Sequence, residues 1–211
     1  MYDRRLLLQT FEVPAAASLR GHLFERQVFN YLGGIRTTFT IRALTESNQK
    51  QAWNYRGSIQ YITFDEFTVC KELDKAVRDL KPRHLVPRAR NFATMDSILY
   101  DPDDPDAVIT WIQITTNMDH NVRVNGLQLL QRWFKPNSPL RGLRPTNAKP
   151  WRLLFVVPEP RACTFKSQNL KGDTRNNVWA GKVHQYVLGL KEKTIFRDGS
   201  DSSTGEQQVP C

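Results

Sequence analysis

Helical and strand-like patterns of apolar residues alternate along the chain. Apolar residues at helical spacing predict a first helix over about residues 18–32, which Gly33 and Gly34 end as C-terminal caps. Alternation with β-branched residues predicts strands in "IRTTFTIRAL" and "SIQYITF". An Asp at the N-cap position followed by helical periodicity predicts a second helix in "DEFTVCKELDKAVRDL". The polar stretch between the two strands is expected to be a loop.

The second half of the chain continues this mixture of helices and strands. "NFATMDSILY" and "AVITWIQIT" flank the turn "DPDDPDA" and predict an antiparallel hairpin. "VRVNGLQLLQRWF" is typical of a helix, and residues 136–150, rich in proline and arginine, are typical of a loop. "WRLLFVVP" is a short apolar run, as expected of a strand covered on both faces. "NNVWAGKVHQYVLGL" is expected to form a final helix.

The order of these elements predicts an α/β fold with a central mixed sheet flanked by helices. A chain of 211 residues, 40% of them hydrophobic, suits one domain with a substantial core. We expect this domain to extend over residues 1–197, with its core at about 18–190. From residue 198 onward the chain is polar and rich in turn-forming residues, which predicts a disordered tail.

The net charge of +9 lies almost entirely in the second half of the chain. Residues 1–106 carry 15 Lys/Arg against 14 Asp/Glu, whereas residues 107–211 carry 15 against 7. This asymmetry favours a polyanionic partner, with nucleic acid as first choice and an anionic membrane surface as second. A protein with a merely basic surface would show the same charge. No apolar stretch approaches the roughly 20 residues that a membrane-spanning helix needs.

Three cysteines, Cys70, Cys163 and Cys211, are an odd number with no close spacing. This pattern argues against a disulfide framework and against a zinc site. The N-terminal apolar run is too short for a signal peptide. We therefore expect an intracellular protein.

Glu25 is the first candidate for chemistry. At about 100° per residue it falls at the margin of the apolar helix face that includes Phe24 and Val28. A carboxylate at the edge of a buried face needs a partner, such as an arginine, a water or a metal ion. A salt bridge to Arg36 or Arg42 is the structural alternative.

Asp96 is the second candidate acid. It is a poor strand former inside a β-prone stretch, directly before the hairpin turn. Strands position ligands more firmly than loops do, so an acid at this place favours a divalent-cation ligand. The structural alternative is an edge-strand charge that prevents aggregation.

Gln113 and Thr115 lie two residues apart in an apolar strand and point to the same face. A buried amide has to be satisfied, and its carbonyl oxygen would complete an oxygen-rich site for Mg²⁺, or Mn²⁺, with Asp96 and Glu25. Such a metal polarises a scissile phosphate and lowers the pKa of an attacking water. We expect these side chains to converge on one side of one sheet edge. His120 follows the strand as a further catalytic candidate, with a hydrogen-bonded structural histidine as the alternative.

Basic residues of the second half are candidates for nucleic-acid contact. Trp133, Phe134 and Trp151 are interleaved with them, a mixture that suits phosphate contact and stacking on bases. The alternative is a solvated basic loop whose aromatic residues are anchored in the core. The candidate cations are Arg123, Arg132, Lys135, Arg141, Arg144 and Lys149.

Several of these motifs together resemble the nuclease-like domain of Crinkler-type effectors and retrotransposon-hotspot (RHS-type) proteins, within the PD-(D/E)xK superfamily. The resemblance rests on "GHLFERQVFNYLGG", "NFATMDSILYDP", "WIQITTNMDHNVRVNGLQLL", "WRLLFVVP" and "VWAGKVHQYVLGL". It implies a restriction-endonuclease-like domain acting on host or competitor DNA. By motif position Glu25 matches the helix acid of the family, Asp96 its strand acid and Gln113 its acidic or amide ligand.

Two departures from this family bear on function. Thr115 occupies the position where such nucleases carry a lysine, which orients the attacking water or neutralises developing charge. The sequence shows neither the N-terminal targeting header nor the NTPase module of complete members, which implies a stand-alone domain or a fragment. Two hypotheses follow: a Mg²⁺-dependent DNA endonuclease-like domain, and an inactive module on the same fold that binds nucleic acid or a protein partner.

Overall fold

A computed structural model describes residues 17–45, 47–89, 95–171 and 179–195 of the chain. The predicted extended segment at residues 1–13 and the predicted tail from residue 198 lie outside these residues. The helices are α1 (Ala17–Gly33), α2 (Glu66–Asp79), α3 (Val124–Trp133), α4 (Glu159–Ala162) and α5 (Glu192–Ile195), with a 3₁₀ helix at Pro139–Leu143.

The strands of the described residues form one large sheet and one small one. The strands are β1 (Thr37–Ala43), β2 (Lys50–Tyr55), β3 (Ser58–Ile62), β4 (Arg83–Pro87), β5 (Ser97–Tyr100), β6 (Ile109–Ile114), β7 (Val122–Arg123), β8 (Trp151–Pro158), β9 (Leu170–Lys171) and β10 (Val183–Leu190). Eight of them lie in the large sheet in the order β2-β1-β10-β8-β6-β5-β4-β3, and β7 pairs with β9 in the small one.

The large sheet is mixed, as the sequence predicts. Strands β6, β8 and β10 run parallel to one another, while β5 is antiparallel to β6 and β1 is antiparallel to β10. The β5–β6 hairpin is the one predicted around the Asp-Pro turn. All eight residues of β8 are buried, which confirms a strand covered on both faces. The fold is therefore α/β, with a central mixed sheet flanked by helices.

Each face of the sheet has its own hydrophobic core. Helix α1 packs its Phe24 and Val28 against one face, together with Ile112 and Ile114 of β6. Helices α2 and α3 pack against the other face, where Trp111 and Ile109 of the same strand point. Alternate residues of β6 therefore point to opposite cores, which fixes the direction of every side chain on this strand.

Local sequence signals place several of these elements. Asp65 caps α2, where its Oδ1 accepts a hydrogen bond of 2.9 Å from the backbone amide of Thr68. The turn between β5 and β6 is held by Arg152, whose guanidinium forms a buried ion pair with Asp104. The "DPDDPDA" segment is thus a structural turn, pinned to the sheet by one arginine.

Three elements differ from the sequence predictions. The polar stretch after β1 contains strand β2, and β4 is a strand for which the sequence patterns gave no prediction. The predicted last helix is wrong where described, because residues 183–190 form β10 between β8 and β1. Burial on both faces of the sheet selects a strand here, and Gly189 would weaken a helix at this position.

Two further findings concern membranes and cysteines. In the residues that the structure covers, no helix combines the length and apolar character needed to cross a bilayer. Cys70 is a free cysteine.

Candidate functional site

Asp96 lies where strand β5 begins beside the end of β6. Its backbone amide donates to the Ile112 carbonyl at 2.9 Å, and its carboxylate Oδ2 accepts from the Ile114 amide at 2.6 Å. The side chain therefore takes the place of a backbone carbonyl in the ladder between the two strands. Because strand amides point along the sheet plane, this carboxylate lies near that plane, at the end of the hairpin.

Burial changes the acidity of Asp96. Its pKa is raised from 3.8 to about 7, mainly by desolvation and to a smaller extent by the nearby Glu25 carboxylate, while the hydrogen bond from Ile114 opposes the rise. Among the described residues, no lysine or arginine forms an ion pair with it. A largely buried carboxyl that lacks a cation is costly, and such groups are frequent at functional sites.

Gln113 precedes Ile114 on β6 and is only 5% exposed. Its Nε2 lies 2.5 Å from Nε2 of His120, so the amide group donates to the imidazole. Its Oε1 is buried and has no hydrogen-bond partner among the described residues. A buried amide oxygen without a partner requires an explanation, and an unseen cation or water is one.

His120 is held in place by its own loop. Its backbone amide donates to Oε1 of Gln168 at 2.5 Å, and Nε2 of Gln168 donates in turn to the Met118 carbonyl at 3.0 Å. Burial lowers the pKa of the His120 imidazole. A neutral imidazole that accepts from Gln113 carries its proton on Nδ1. The residue therefore orients the amide and supplies no positive charge near neutral pH.

Glu25 approaches the same strand ends from helix α1. Its carboxylate lies 3.9 Å from His22 Nδ1, the one ion-pair partner within reach in the described chain. The alternative salt bridge to Arg42 is not formed, because Arg42 donates to the carbonyl oxygens of Ala162 and Phe165 at 2.5 and 2.8 Å. Glu25 thus remains available for another partner.

The two faces of the sheet separate part of the predicted cluster. Gln113 points with Trp111 toward the α3 side, whereas Glu25 lies on the helix that packs on the other side. The first turn of α1 does reach the end of β6, since a methyl group added at Gly21 would lie 3.8 Å from Thr116 Oγ1. The expected approach from one side is therefore not observed. Glu25 and Gln113 flank Asp96 from opposite faces, at the end of the hairpin.

Thr115 cannot replace the lysine of the family pattern. It is 6% exposed, and its Oγ1 accepts a hydrogen bond of 3.0 Å from the Asn117 amide. Its own amide donates to the Val156 carbonyl at 3.0 Å, so the residue closes the ladder with β8. Thr115 is a structural residue at the end of β6.

The predicted nucleic-acid contacts fall into two groups. Arg123 is exposed and precedes α3 at the end of the sheet where His120 lies. Arg132 lies in the last turn of the same helix, and Lys135 beyond it pairs with Glu66 at 2.7 Å. The other predicted cations, Arg141, Arg144 and Lys149, precede β8 and therefore lie at the opposite end of the sheet from Gln113.

The aromatic residues between these cations are part of the core. Trp133, Phe134 and Trp151 are 3%, 0% and 2% exposed. Trp151 packs edge-on against Trp111, with ring centroids 4.9 Å apart. These rings are anchored in the interior and are not available to stack on bases, which is the structural alternative that the sequence left open.

The side chains around the hairpin end carry oxygen atoms as possible metal donors. Asp96, Glu25 and Oε1 of Gln113 are all oxygen donors, the type that Mg²⁺ prefers. Within the covered residues, no group of three or more His, Cys, Asp or Glu side chains is placed to hold a metal. The unpartnered amide oxygen of Gln113 is therefore the feature that makes this position a candidate.

Comparisons with protein families, curated proteins and solved structures found no match for this chain.

Proposed function

We propose that this chain is a nuclease-like domain of the Crinkler and RHS type that holds Mg²⁺, or Mn²⁺, and acts on DNA. The observation that carries the proposal is the pairing of a largely buried carboxyl, Asp96, with the unpartnered Oε1 of Gln113 on the adjacent strand. Neither group has a cation among the described residues. Asp96 accepts one hydrogen bond, from the Ile114 amide, and Oε1 of Gln113 accepts none from the described residues.

The residues of this chain have distinct roles in the proposed site. Asp96 and Gln113 would hold the metal from the two strands of the hairpin, and Glu25, on the other side of the sheet, would act through Asp96, whose pKa it helps to raise. His120 orients the amide so that its oxygen is free to face the cation. When bound, the metal would polarise the scissile phosphate and lower the pKa of an attacking water. Arg123, exposed at the same end of the sheet, is placed to contact phosphates.

A second function is favoured by Thr115 and His120. The first is buried and neutral, and burial lowers the pKa of the second, so neither supplies the charge that a lysine would. On this alternative the domain is an inactive module that binds nucleic acid or a protein partner on a nuclease scaffold. It would then bind without cutting.

Metal dependence separates the two functions. We expect the protein to cleave supercoiled plasmid with Mg²⁺ or Mn²⁺ and not with EDTA. Asp96→Ala should abolish cleavage, and Asp96→Asn, which keeps the shape and can still accept the Ile114 hydrogen bond, should do so with an intact fold. Binding of an uncleaved DNA duplex should be nearly unchanged in both variants.

Asp79→Asn is the matched control, because it removes an exposed carboxylate at the end of α2. This variant should cleave like the unaltered protein. Salt-sensitive binding with no cleavage under either metal would instead establish the inactive module. Cleavage that survives Asp96→Asn would show that the catalytic site lies elsewhere.

A further inference from the structure

A basic groove lies at the end of the sheet opposite Asp96 and Gln113. It has a volume of about 710 Å³ and lies between the last part of α3, the segment before β8 and the residue that precedes β10. Its lining contains four cations and no carboxylate. The lining residues are Gln131, Arg141, Gly142, Arg144, Pro145, Thr146, Asn147, Lys149 and Lys182.

The walls of the groove are held by the protein core. The indole of Trp151 donates from Nε1 to the Leu143 carbonyl at 2.7 Å, and its ring stacks on Trp179 with centroids 5.9 Å apart. Its backbone amide donates to the Lys182 carbonyl at 2.8 Å. The lysine backbone and the end of the 3₁₀ helix are thereby fixed to one buried residue.

Gly181 brings the two sides of the groove together. Its φ of +72° belongs to the left-handed region, and a methyl group there would lie 3.2 Å from Asn147 Oδ1. A glycine at this position lets the chain turn tightly before Lys182 and approach the opposite wall. The concave shape of the groove depends on this close approach.

The charges in the groove are not neutralised from within the described chain. None of Arg141, Arg144, Lys149 and Lys182 forms an ion pair with a carboxylate there. Four cations lining one concavity repel one another and attract an anion, because a low-dielectric wall focuses their field. The groove is therefore prepared for a ligand with several negative charges.

The groove and the candidate metal site face the same layer of the molecule. Gln113 pairs with Phe155, and the amide of Trp151 bonds to Lys182, which lines the groove. Four residues of β8 therefore separate the two positions, or about 13 Å at roughly 3.3 Å per residue. Helix α3 extends between them, with Arg123 at one end and Gln131 at the other. Phosphates on one DNA strand are spaced by about 3.4 Å of rise, so the distance corresponds to about four nucleotides.

We propose that this groove binds the phosphodiester backbone of a nucleic acid, as an anchor remote from the hairpin end. Arg141, Arg144, Lys149 and Lys182 contact phosphates there, and the amides of Gln131 and Asn147 provide further hydrogen bonds. Binding at the anchor needs no metal. Only the alignment of the anchored strand with Asp96 rests on the nuclease function proposed above.

The chemistry of the lining favours nucleic acid over a membrane surface. A lipid-binding surface combines cations with exposed apolar side chains that enter the acyl region. Pro145 is the one apolar side chain that lines this groove, and the other neutral residues are Gln131, Gly142, Thr146 and Asn147. Amide and hydroxyl groups hydrogen-bond to phosphate and sugar oxygens, which fixes the position of a strand without reading its sequence.

Fluorescence anisotropy of a labelled 20-base-pair duplex in EDTA tests the anchor without any contribution from metal or cleavage. We expect conversion of Arg141, Arg144, Lys149 and Lys182 to Gln to weaken binding at least tenfold. The slope of log affinity against log salt should fall by about 3.6, because each of the four phosphate contacts contributes about 0.9. Lys182→Gln alone should lower the slope by about 1.

The control removes the same number of charges from α2 and its C-terminal end. Lys71, Lys75, Arg78 and Lys81 are exposed and lie outside the groove. Their conversion to Gln should leave most of the affinity and the salt slope in place. An equal loss in both variants would overturn the anchor, because it would show that only net charge matters. Anionic vesicles that bind the unaltered protein but not the groove variant, with no DNA binding by either, would also overturn it.

The anchor and the nuclease function fail in different ways. Plasmid cleavage that is absent in every metal would end the nuclease proposal, and a slope change in the groove variant would still support the anchor. Intact plasmid cleavage with an unchanged salt slope in the groove variant would support the nuclease function and overturn the anchor. Circular dichroism of both four-residue variants verifies that they fold.

Discussion

Two acids, Asp96 and Asp104, lie at opposite ends of the β5–β6 hairpin and have opposite surroundings. Asp104 is 9% exposed and meets Arg152, which is 1% exposed, through bonds of 2.5 and 3.2 Å. The guanidinium also lies 5.4 Å from the ring centroid of Tyr186. Asp96 has a backbone amide as its hydrogen-bond donor and another carboxylate, Glu25, nearby.

This difference separates a structural acid from a candidate functional one. A buried carboxylate that forms a bidentate ion pair with an arginine holds a turn. Its charge is neutralised by the arginine, so it does not require a ligand. A desolvated carboxyl that lies near a second acid and an unpartnered amide oxygen lowers the stability of the folded protein. Proteins retain such local conflicts mainly where function requires them. Substitutions at the two acids should therefore have opposite effects on stability.

The largest effect should come from removing the cation of the structural pair. Arg152→Met leaves Asp104 buried without its partner, and breaking a buried ion pair in this way costs about 3–5 kcal/mol. Urea denaturation should show a correspondingly lower free energy of unfolding. The double variant Arg152→Met/Asp104→Asn removes both charges and should recover part of the loss. A change below about 1 kcal/mol in Arg152→Met would mean that the pair does not hold the turn.

A second effect concerns a neutral histidine in the core near Asp96. His84 is completely buried, and its ring nitrogens lie 2.8 Å from the Tyr55 hydroxyl and 2.7 Å from Ser97 Oγ. Burial lowers its pKa from 6.5 to about 3, while burial raises that of Tyr55. The unfolded chain therefore takes up a proton first as the pH falls, and stability decreases from about pH 6.5 down to about pH 3.

The expected slope for His84 is up to about 1.4 kcal/mol per pH unit. Denaturation curves at pH 6.5 and pH 5 should differ by about 2 kcal/mol through this residue. His84→Gln removes the titrating group, so the slope between these two pH values should become smaller by that amount. An identical slope in the variant would show that other groups govern the acid sensitivity.

The third prediction concerns Asp96, whose neutralisation should raise the free energy of unfolding, whereas breaking the Arg152–Asp104 pair should lower it. At pH 8 without metal, Asp96→Asn removes the charge of a largely buried carboxyl and keeps a hydrogen-bond acceptor for Ile114. We expect the free energy of unfolding to rise by about 1–2 kcal/mol, as is common when a functional group is neutralised. Asp79→Asn should leave it unchanged. A loss comparable with that of Arg152→Met would make Asp96 a structural residue.

Local chemistry explains which elements were predictable. The cap at Asp65, the Asp-Pro turn and the fully apolar β8 each act within a few residues, and the sequence alone places them. Strand β10 is different, because its pairing partners β1 and β8 are far away in the chain. The apolar positions of "VHQYVLGL" also fit helical spacing, so only the available sheet position decides.

The sequence predicts the direction of each candidate side chain on its own element, but not how these elements come together. Alternation along a strand places Gln113 on one face, and helical periodicity places Glu25 at the edge of another buried face. Neither pattern reveals that the two faces belong to opposite cores. The replacement of a ladder carbonyl by the Asp96 side chain is a tertiary feature of the hairpin, and it has no signature in the sequence.

The smallest effect on stability should come from the basic groove, and it completes the contrast with Arg152. Arg141 and Lys149 are exposed, Arg144 is half-exposed, and none of the three forms an ion pair within the described residues. Exposed loop charges contribute little to folding, so their joint conversion to Ala should change the free energy of unfolding by less than about 0.5 kcal/mol.

The same change to Arg141, Arg144 and Lys149 should weaken DNA binding for every sequence and flatten its salt dependence. A thermal scan beside the binding titration measures both quantities on one preparation. A large drop in melting temperature would mean that these cations, like Arg152, hold the structure, and that weaker binding reflects partial unfolding instead of lost phosphate contacts.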